Sequence, residues 1–366
     1  MNHDSHRMRR AAIAPFFARS KIRDLEPLIQ DKIELLKIKL LDRAKTGEIL
    51  DMQRVYAALS LDIITHHALG ESWEALERPD LGAAITNAIQ SMLVIHPFGR
   101  AFPFAMRIIE GSLSWLINTF DDENDYGSSP AGFLRYIRKA TARVYDRAAA
   151  EKDTEFLGEA PIIYKVVRES NLPEPEKSLS RMAAETVVLT SAGTDTTART
   201  LAIAQYHILS NPAIHTRLLA ELRTVIPAPG AVIPSHDALE KLPYLTGIIL
   251  ESLRLGNTVP QRLARIAPDE DLRYGDCIIP RGTTFGQSNW FLHFNPDCFP
   301  EPEAFVPDRW SGPDAERQRR YLVPFGRGTR MCLGLNLAYA EMYRVLATVV
   351  SDIEMELFET TDRDIT

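Results

Sequence analysis

Residues 324–334 read PFGRGTRMCLG, a loop with three glycines around one cysteine, Cys332. Glycine adopts positive φ and lets backbone N–H groups approach a ligand closely. A helical apolar pattern begins at about residue 333, so Cys332 lies at a predicted helix N-terminus, with Arg330 close before it. Both the helix N-terminus and the cation favour a thiolate over a thiol. The loop therefore predicts a cysteine that binds a metal.

Three interpretations of Cys332 follow from its chemistry. A thiolate held by backbone donors in a dry pocket suits haem iron in particular. A single cysteine taken alone is more often a small buried apolar residue. A catalytic nucleophile is the third interpretation, although no histidine motif accompanies the cysteine.

The composition excludes several classes of protein. The chain has 366 residues, of which 45% are hydrophobic and 25% charged, and a net charge of −7. This is enough apolar material for a core, which excludes disorder. The acidic balance argues against nucleic acid as a partner. The three cysteines are too few for a disulfide framework and indicate a reducing compartment. No apolar run approaches the roughly 18 residues of a membrane span.

The hydrophobic periodicity predicts a mainly α fold with a minor β part. Helices are predicted over residues 22–43, 52–69, 180–209, 244–255 and 333–350, and Gly47 and Gly70 are predicted stops. Pro97 and Pro103 are predicted to break the aromatic-rich stretch 91–120. Short strands are predicted within residues 262–267, 277–280 and 283–290.

Glu251 and Arg254 lie three residues apart on a predicted helix, so they share a face. This spacing alone indicates an exposed ion pair. The surrounding leucines instead favour a buried pair, which requires further hydrogen bonds. Arg309, in the PDRW stretch, is the predicted third partner.

The helix over residues 180–209 contains AGTDTTA at positions 192–198. Glycine, threonine and aspartate are poor choices for a helix interior. They suit a helix that passes close to a flat cofactor and loosens its own hydrogen bonding there. Asp195 and Thr196 would then relay protons to a bound oxygen species. A polar helix face with threonines bonded to the backbone is the simpler alternative.

These motifs together resemble the cytochrome P450 family. The loop FGRGTRMCLG matches the haem-binding pattern F-x-x-G-x-R-x-C-x-G of that family, and AGTDTT resembles its oxygen-activation motif. ESLR resembles its Glu-x-x-Arg helix, and FVPDRW resembles its arginine-containing loop. The opening SHRMRRAAIAPFF is similar to the C helix of the family. The resemblance covers nearly the whole chain.

The resemblance implies a role for each matching residue. Cys332 would be the thiolate ligand of the iron of haem b, and Phe325, with Gly326, would support its loop. Arg10, Arg330 and His6 would contact the haem propionates. Asp195 and Thr196 would deliver protons, with Ala192 and Gly193 leaving room over the haem. Glu251, Arg254 and Arg309 would form a structural triad, and Thr258, Val259 and Pro260 would contact substrate.

The resemblance also implies a fold and an activity. Residues 1–366 would form a single cytochrome P450 domain that lacks the N-terminal portion of the family fold, and its end resembles a chain cut before the last hairpin of the family. The enzyme would insert one oxygen atom from dioxygen into an apolar organic substrate, by hydroxylation or epoxidation. The alternative is a truncated, non-catalytic remnant of such an enzyme that binds haem weakly or not at all.

The details of the sequence resemble filamentous-fungal members that make terpenoid or polyketide secondary metabolites. The expected partners are an NADPH–cytochrome P450 reductase, dioxygen and a small apolar substrate. The full-length protein would lie on the cytosolic face of the endoplasmic reticulum membrane, and these 366 residues alone would be soluble and cytoplasmic. Membrane contact would come from an N-terminal anchor or from an apolar surface loop near Phe102 and Phe104, for which core packing is an equal alternative.

Overall fold

Helices dominate the computed structural model, which describes residues 3–102, 104, 130–150, 163–259 and 261–365. The helices up to residue 169 are α1 (His3–Ile13), α2 (Arg19–Asp24), α3 (Glu26–Ala44), α4 (Met52–Leu69), α5 (Ala83–Ala101), α6 (Pro130–Ala150) and α7 (Ile163–Glu169). Those that follow are α8 (Leu179–Ser210), α9 (Pro212–Leu222), α10 (His236–Leu239), α11 (Pro243–Gly256), α12 (Asn289–His293), α13 (Ala315–Tyr321), α14 (Leu335–Asp352) and α15 (Asp362–Ile365). The predicted class, mainly α with a minor β part, is confirmed.

Among the residues that the structure describes, the β part consists of two small antiparallel pairs between α11 and α12. Strand β1 (Arg265–Ile266) pairs with β4 (Thr284–Phe285), and β2 (Leu272–Tyr274) pairs with β3 (Cys277–Ile279). Tyr274 lies opposite Cys277, so a two-residue turn joins β2 to β3. Gly275 takes φ 58° there, as the tight hairpin turn requires.

Helix α4 begins and ends where the sequence predicts. The Asp51 carboxylate accepts hydrogen bonds from the backbone N–H groups of Gln53 and Arg54, which caps the N-terminus. Gly70 ends the helix at φ 71°, a conformation that glycine adopts without strain. Local chemistry therefore fixes both ends of α4.

Two helix predictions need correction. The continuous helix predicted over residues 22–43 is divided at Leu25 into α2 and α3, since Pro27 has no N–H to continue the ladder and instead occupies the first turn of α3. The predicted break at Pro97 does not occur, because α5 continues through it to Ala101. A proline inside a helix costs one hydrogen bond and clashes with the preceding turn, but here the neighbouring bonds keep the segment helical.

The core surrounds α8, which packs against α4, α5, α6, α9, α11 and α14. Buried aliphatic residues of α4 and α8 fill the contact between these two helices, among them Leu61, Ile64 and Leu201. Gly193 makes this approach possible, because a Cβ on it would lie 2.9 Å from Ile64 Cγ1. Within the described part of the chain, no helix has the length and apolar composition needed to cross a membrane.

Helix α11 lies directly against the segment that contains Pro307. A Cβ on Gly247 would lie 2.5 Å from the Pro307 carbonyl oxygen, so only glycine fits at this position. Arg217 of α9 adds a bidentate ion pair to Asp308, with both distances 2.7 Å. The glycine contact and this ion pair hold residues 307–310 against the helical core.

Candidate functional site

The loop around Cys332 is held by its own backbone. The Cys332 N–H donates to the Phe325 carbonyl at 2.8 Å, which closes the loop on itself. Gly326 and Gly328 take φ 66° and 74°, a region that other L residues rarely adopt. The Phe325 ring packs at a tilt against Tyr339 of α14, with centroids 5.2 Å apart. The loop is thereby fixed to α14, which begins at Leu335.

The Cys332 side chain is exposed but is partly surrounded by protein atoms. These atoms raise the pKa of the thiol by desolvation. The Gly334 N–H and the charge of Arg10 lower that pKa by less. This corrects the expectation that the helix N-terminus and Arg330 favour the thiolate in the protein alone. Burial prevails, and the nearby cation that acts on the sulfur is Arg10 on α1.

Three cationic or basic side chains gather beside this loop. Arg10 Nη1 donates to the Met331 carbonyl at 2.7 Å. Burial, followed by the charges of Arg330 and Arg10, lowers the pKa of His6. Like charges raise each other's energy unless an anion lies between them. The cluster His6, Arg10 and Arg330 therefore has the charge that would suit an anionic group next to Cys332.

His6 adds a second observation at this cluster. Its Nδ1 atom is buried and has no hydrogen-bond partner among the described residues. Helix α1, which carries His6, is held in place by Arg9, whose Nε and Nη2 donate to the Glu176 carboxylate at 2.6 and 2.8 Å. A buried polar atom without a partner costs free energy, which a ligand oxygen would recover.

Residues 192–197, which resemble the oxygen-activation motif of the family, lie on α8. Thr196 Oγ1 donates to the Ala192 carbonyl at 2.8 Å, which confirms the local back-bonding. Ala192 is exposed, whereas Asp195 and Thr196 are half-buried, so this part of α8 has an open face. Asp195 Oδ1 accepts a hydrogen bond of 3.2 Å from Gln90 Nε2 of α5.

Gly193 does not need a cofactor to explain it. Its missing side chain accommodates Ile64 on α4, so packing between two helices accounts for the glycine. The family resemblance implied that Gly193 leaves room over the haem. In the structure its small size instead allows α8 to pack against Ile64. Ala192, one position earlier, is the small residue on the open face.

The three residues predicted as a structural triad lie together and are buried. Arg254 donates from Nε and Nη2 to the two oxygens of Glu251, at 3.0 and 2.8 Å. Arg309 Nε donates to Glu251 Oε1 at 3.3 Å. Glu251 and Arg254 are fully buried, so the alternative of an exposed pair is wrong.

Further hydrogen bonds compensate the burial of these charges. Arg254 also donates to the carbonyls of His293, Pro302 and Ala304, at 3.0, 2.5 and 3.0 Å. Arg309 Nη1 donates to the Pro300 carbonyl at 2.7 Å. Buried ion pairs are tolerated when such bonds satisfy the remaining donors. The triad therefore ties α11 to the whole segment from residue 293 to residue 310.

The predicted substrate contacts are partly described. Thr258 is half-buried and Val259 is 38% exposed, directly after α11. Pro260 lies outside the described residues. Phe102 and Phe104, at and beyond the end of α5, are exposed, so core packing does not explain either of them.

Sequence reasoning missed four side chains of or near the site. Trp310 Nε1 donates to Glu251 Oε2 at 3.0 Å. His293 Nε2 accepts a hydrogen bond from the Val323 N–H at 3.0 Å. This bond anchors the segment that leads to the Cys332 loop. Glu341 of α14 is buried and accepts a bond of 2.7 Å from Ser60. Gln90 bonds Asp195 from another helix. Only Trp310, adjacent to Arg309, lay within a motif.

Comparison with known proteins gives the family. The cytochrome P450 family model matches residues 2–366. The chain is 36% identical to the cytochrome P450 monooxygenase ucsK of Acremonium sp, over all of this chain and 71% of that protein. It is 35% identical to the tryptophan 6-hydroxylase fscE of Fusarium equiseti, over 98% of this chain and 69% of the relative. The chain thus spans about seven-tenths of these relatives' length.

A solved structure agrees on the fold. The crystal structure of the cytochrome P450 CYP102L1 superposes with a TM-score of 0.76 at 20% identity, over 98% of this chain and 73% of that one. The chain belongs to the cytochrome P450 family, and it is a haem-dependent monooxygenase by that membership. Members of the family bind haem and work with a redox partner, dioxygen and an organic substrate.

The residues present fit a haem. Haem iron takes a protein ligand such as a cysteine thiolate, and cations pair with the haem propionates. Cys332 offers the sulfur, and the adjacent cluster of His6, Arg10 and Arg330 offers the donors. The unpartnered Nδ1 atom of His6 is the clearest mark of a missing polar partner in this region. No histidine among the described residues bonds the Cys332 thiol, which disfavours the nucleophile alternative.

Proposed function

We propose that this enzyme inserts one oxygen atom from dioxygen into a small apolar substrate, by hydroxylation or epoxidation. The supporting observation is that the glycine-rich Cys332 loop lies beside the cationic cluster His6, Arg10 and Arg330. A terpenoid or polyketide intermediate of fungal secondary metabolism is the proposed substrate class. The fungal monooxygenases among the relatives support this assignment.

In this proposal the protein's own residues have four tasks: they bind the haem iron, hold the propionates, deliver protons and contact the substrate. Cys332 binds the iron as a thiolate, because metal coordination deprotonates a thiol even where burial raises its pKa. Arg10, Arg330 and His6 hold the propionates by charge-assisted hydrogen bonds. When bound, the haem supplies the dioxygen and electron-transfer chemistry.

Asp195 and Thr196 deliver protons in this proposal. Asp195 is half-buried, and its Oδ1 accepts a hydrogen bond from Gln90 of α5. Thr196 lies next to it, and its hydroxyl, which donates to the Ala192 carbonyl, retains acceptor capacity for an incoming proton. Ala192 leaves space on this face. Thr258 and Val259 contact the substrate, as does Pro260.

The other partners are an NADPH–cytochrome P450 reductase and a membrane surface. We place the enzyme on the cytosolic face of the endoplasmic reticulum, where Phe102 and Phe104 touch the lipid. Their exposed fractions of 56% and 75% support this contact, because aromatic rings partition well into the membrane interface. Loss of vesicle binding in a Phe102→Ser, Phe104→Ser variant tests it.

The absorption spectrum of the reduced, carbon-monoxide-bound protein tests the central assignment. Thiolate ligation predicts a strongly red-shifted Soret band, and Cys332→Ser should abolish it. Cys277→Ser is the matched control, since Cys277 is also exposed but lies on β3, and the band should persist. No band in the unaltered protein would support the non-catalytic remnant. A red-shifted band in Cys332→Ser would exclude Cys332 as the ligand.

A further inference from the structure

Gln90 connects the oxygen-activation residues on α8 to a second helix. Its amide Nε2 lies 3.2 Å from Asp195 Oδ1 and donates to it across the contact of α5 with α8. The neighbouring Ile89, and Ile85 one turn before, are fully buried, so this part of α5 is anchored in the core. The Gln90 side chain therefore starts from a fixed backbone and not from a loop.

Asp195 has an uncharged hydrogen-bond partner, although an arginine lies close to it in the sequence. Arg199 lies one helical turn after Asp195 on α8, the spacing at which ion pairs form on a helix. Among the described residues, however, Asp195 bonds only to the uncharged Gln90 amide. A neutral donor orients a carboxylate without adding a charge, whereas an arginine would hold it in a stronger charge-assisted pair. The second carboxylate oxygen, Oδ2, remains able to accept a proton.

We propose that Gln90 is a positioning residue for Asp195: it fixes the direction of the carboxylate so that Oδ2 faces the proton path to Thr196. This inference rests on the proposed role of Asp195 in proton delivery. It makes α5 part of the oxygen-activation machinery, although Gln90 need not touch haem, oxygen or substrate.

Turnover without an organic substrate provides a direct readout. With NADPH and reductase, dioxygen either takes two electrons and two protons to give hydrogen peroxide, or four electrons and four protons to give two waters. NADPH supplies two electrons, so the ratio of NADPH consumed to dioxygen consumed rises from one to two as protons are delivered better. No substrate contact enters this ratio.

Gln90→Leu should lower that ratio towards one and raise the yield of peroxide. Loss of one such hydrogen bond corresponds to a change of about 2- to 12-fold in the partition between water and peroxide. Asn87→Leu is the matched control, since Asn87 is an exposed amide on the same helix, and it should leave the ratio unchanged. Gln90→Arg should also lower the ratio, because a charged partner restrains the carboxylate.

A double-variant comparison isolates the pair. In an Asp195→Asn background, Gln90→Leu should have no further effect on the ratio, because the group that it orients is already changed. In haem-free protein, Gln90→Leu should increase amide hydrogen exchange in residues 83–92 by about 2- to 12-fold, because a bond between α5 and α8 is lost. This second readout does not depend on turnover.

The outcomes separate the inference from the function on which it rests. If Asp195→Asn lowers the ratio but Gln90→Leu does not, the positioning role is wrong and the role of Asp195 stands. If the effects of the two substitutions add, the positioning role is also wrong. If neither variant changes the ratio, both roles are wrong, and the spectrum of the carbon monoxide complex alone carries the monooxygenase assignment.

Discussion

The Trp310 indole donates its Nε1–H to Glu251 Oε2 at 3.0 Å, and both residues are buried. This bond gives Glu251 a neutral partner beside its two arginines. It also joins the last residue of the PDRW segment to α11. The buried triad is therefore a four-residue network in which one carboxylate receives three side-chain partners.

Two substitutions in this network should lower the free energy of unfolding by different amounts. Trp310→Phe leaves Glu251 with one bond fewer and should lower the free energy of unfolding by about 1–3 kcal/mol. Glu251→Gln leaves two buried guanidinium groups without their counter-ion and should cost about 3–5 kcal/mol. Urea unfolding of the haem-loaded protein measures both values.

The exposed pair of Arg320 and Glu316 provides the control for these substitutions. Their side chains are 72% and 86% exposed, so Arg320→Gln should change stability by less than about 1 kcal/mol. Equal losses in Glu251→Gln and Arg320→Gln would contradict the buried network.

Gly193→Ala tests whether packing or a cofactor requires the glycine. The added Cβ would meet Ile64 at 2.9 Å, so the variant should lose about 1–3 kcal/mol of stability by overpacking. The double variant Gly193→Ala, Ile64→Ala should lose less stability than the sum of the two single variants, because Ile64→Ala opens space for the added Cβ. Additive losses in urea unfolding would contradict the packing role of Gly193.

Arg10→Gln should weaken haem retention. The residue loses a charge-assisted bond worth about 1.5–3 kcal/mol, which corresponds to about 10- to 150-fold in affinity. Transfer of haem to an excess of apomyoglobin measures the rate of loss. Arg7→Gln is the control, since the Arg7 side chain is 75% exposed and its ion pair with Asp4 is long, at 3.6 Å. Similar loss rates in the two variants would refute the propionate role of Arg10.

Glu341→Gln should change the pH dependence of stability. Burial raises the pKa of Glu341 from its ordinary value of 4.5 to about 8. The unfolded chain therefore releases this proton at lower pH than the folded protein does. The contribution to stability is complete below pH 4.5 and is lost as pH rises to about 8, with a slope of about 1.4 kcal/mol per pH unit.

In Glu341→Gln this decline between pH 4.5 and 8 should disappear, as denaturant unfolding over that range would show. Glu354→Gln is the control, since Glu354 is an exposed carboxylate just after α14. The same decline in Glu341→Gln and in the parent would place the titrating group elsewhere.

Local chemistry made much of the fold and site predictable. Asp51 and Gly70 encode the ends of α4 within a few residues, and the positions of Cys332, Glu251 and Arg254 follow from short motifs. Gln90 and Glu341 were not predictable, because their roles arise from contacts between helices that are far apart in sequence. Gly193 was misinterpreted for the same reason, since its neighbour Ile64 lies on α4.

Consecutive arginines on α1 bind different neighbours, Arg9 the Glu176 carboxylate and Arg10 the Met331 carbonyl. No side chain of α1 is fully buried, so polar contacts such as these hold the helix in place. If Arg10 also contacts a haem propionate, haem-free protein lacks one of these contacts, and trypsin should cleave it first at Arg9 or Arg10. Gel electrophoresis of such digests would then measure the fraction of the protein that resists cleavage because it still holds haem.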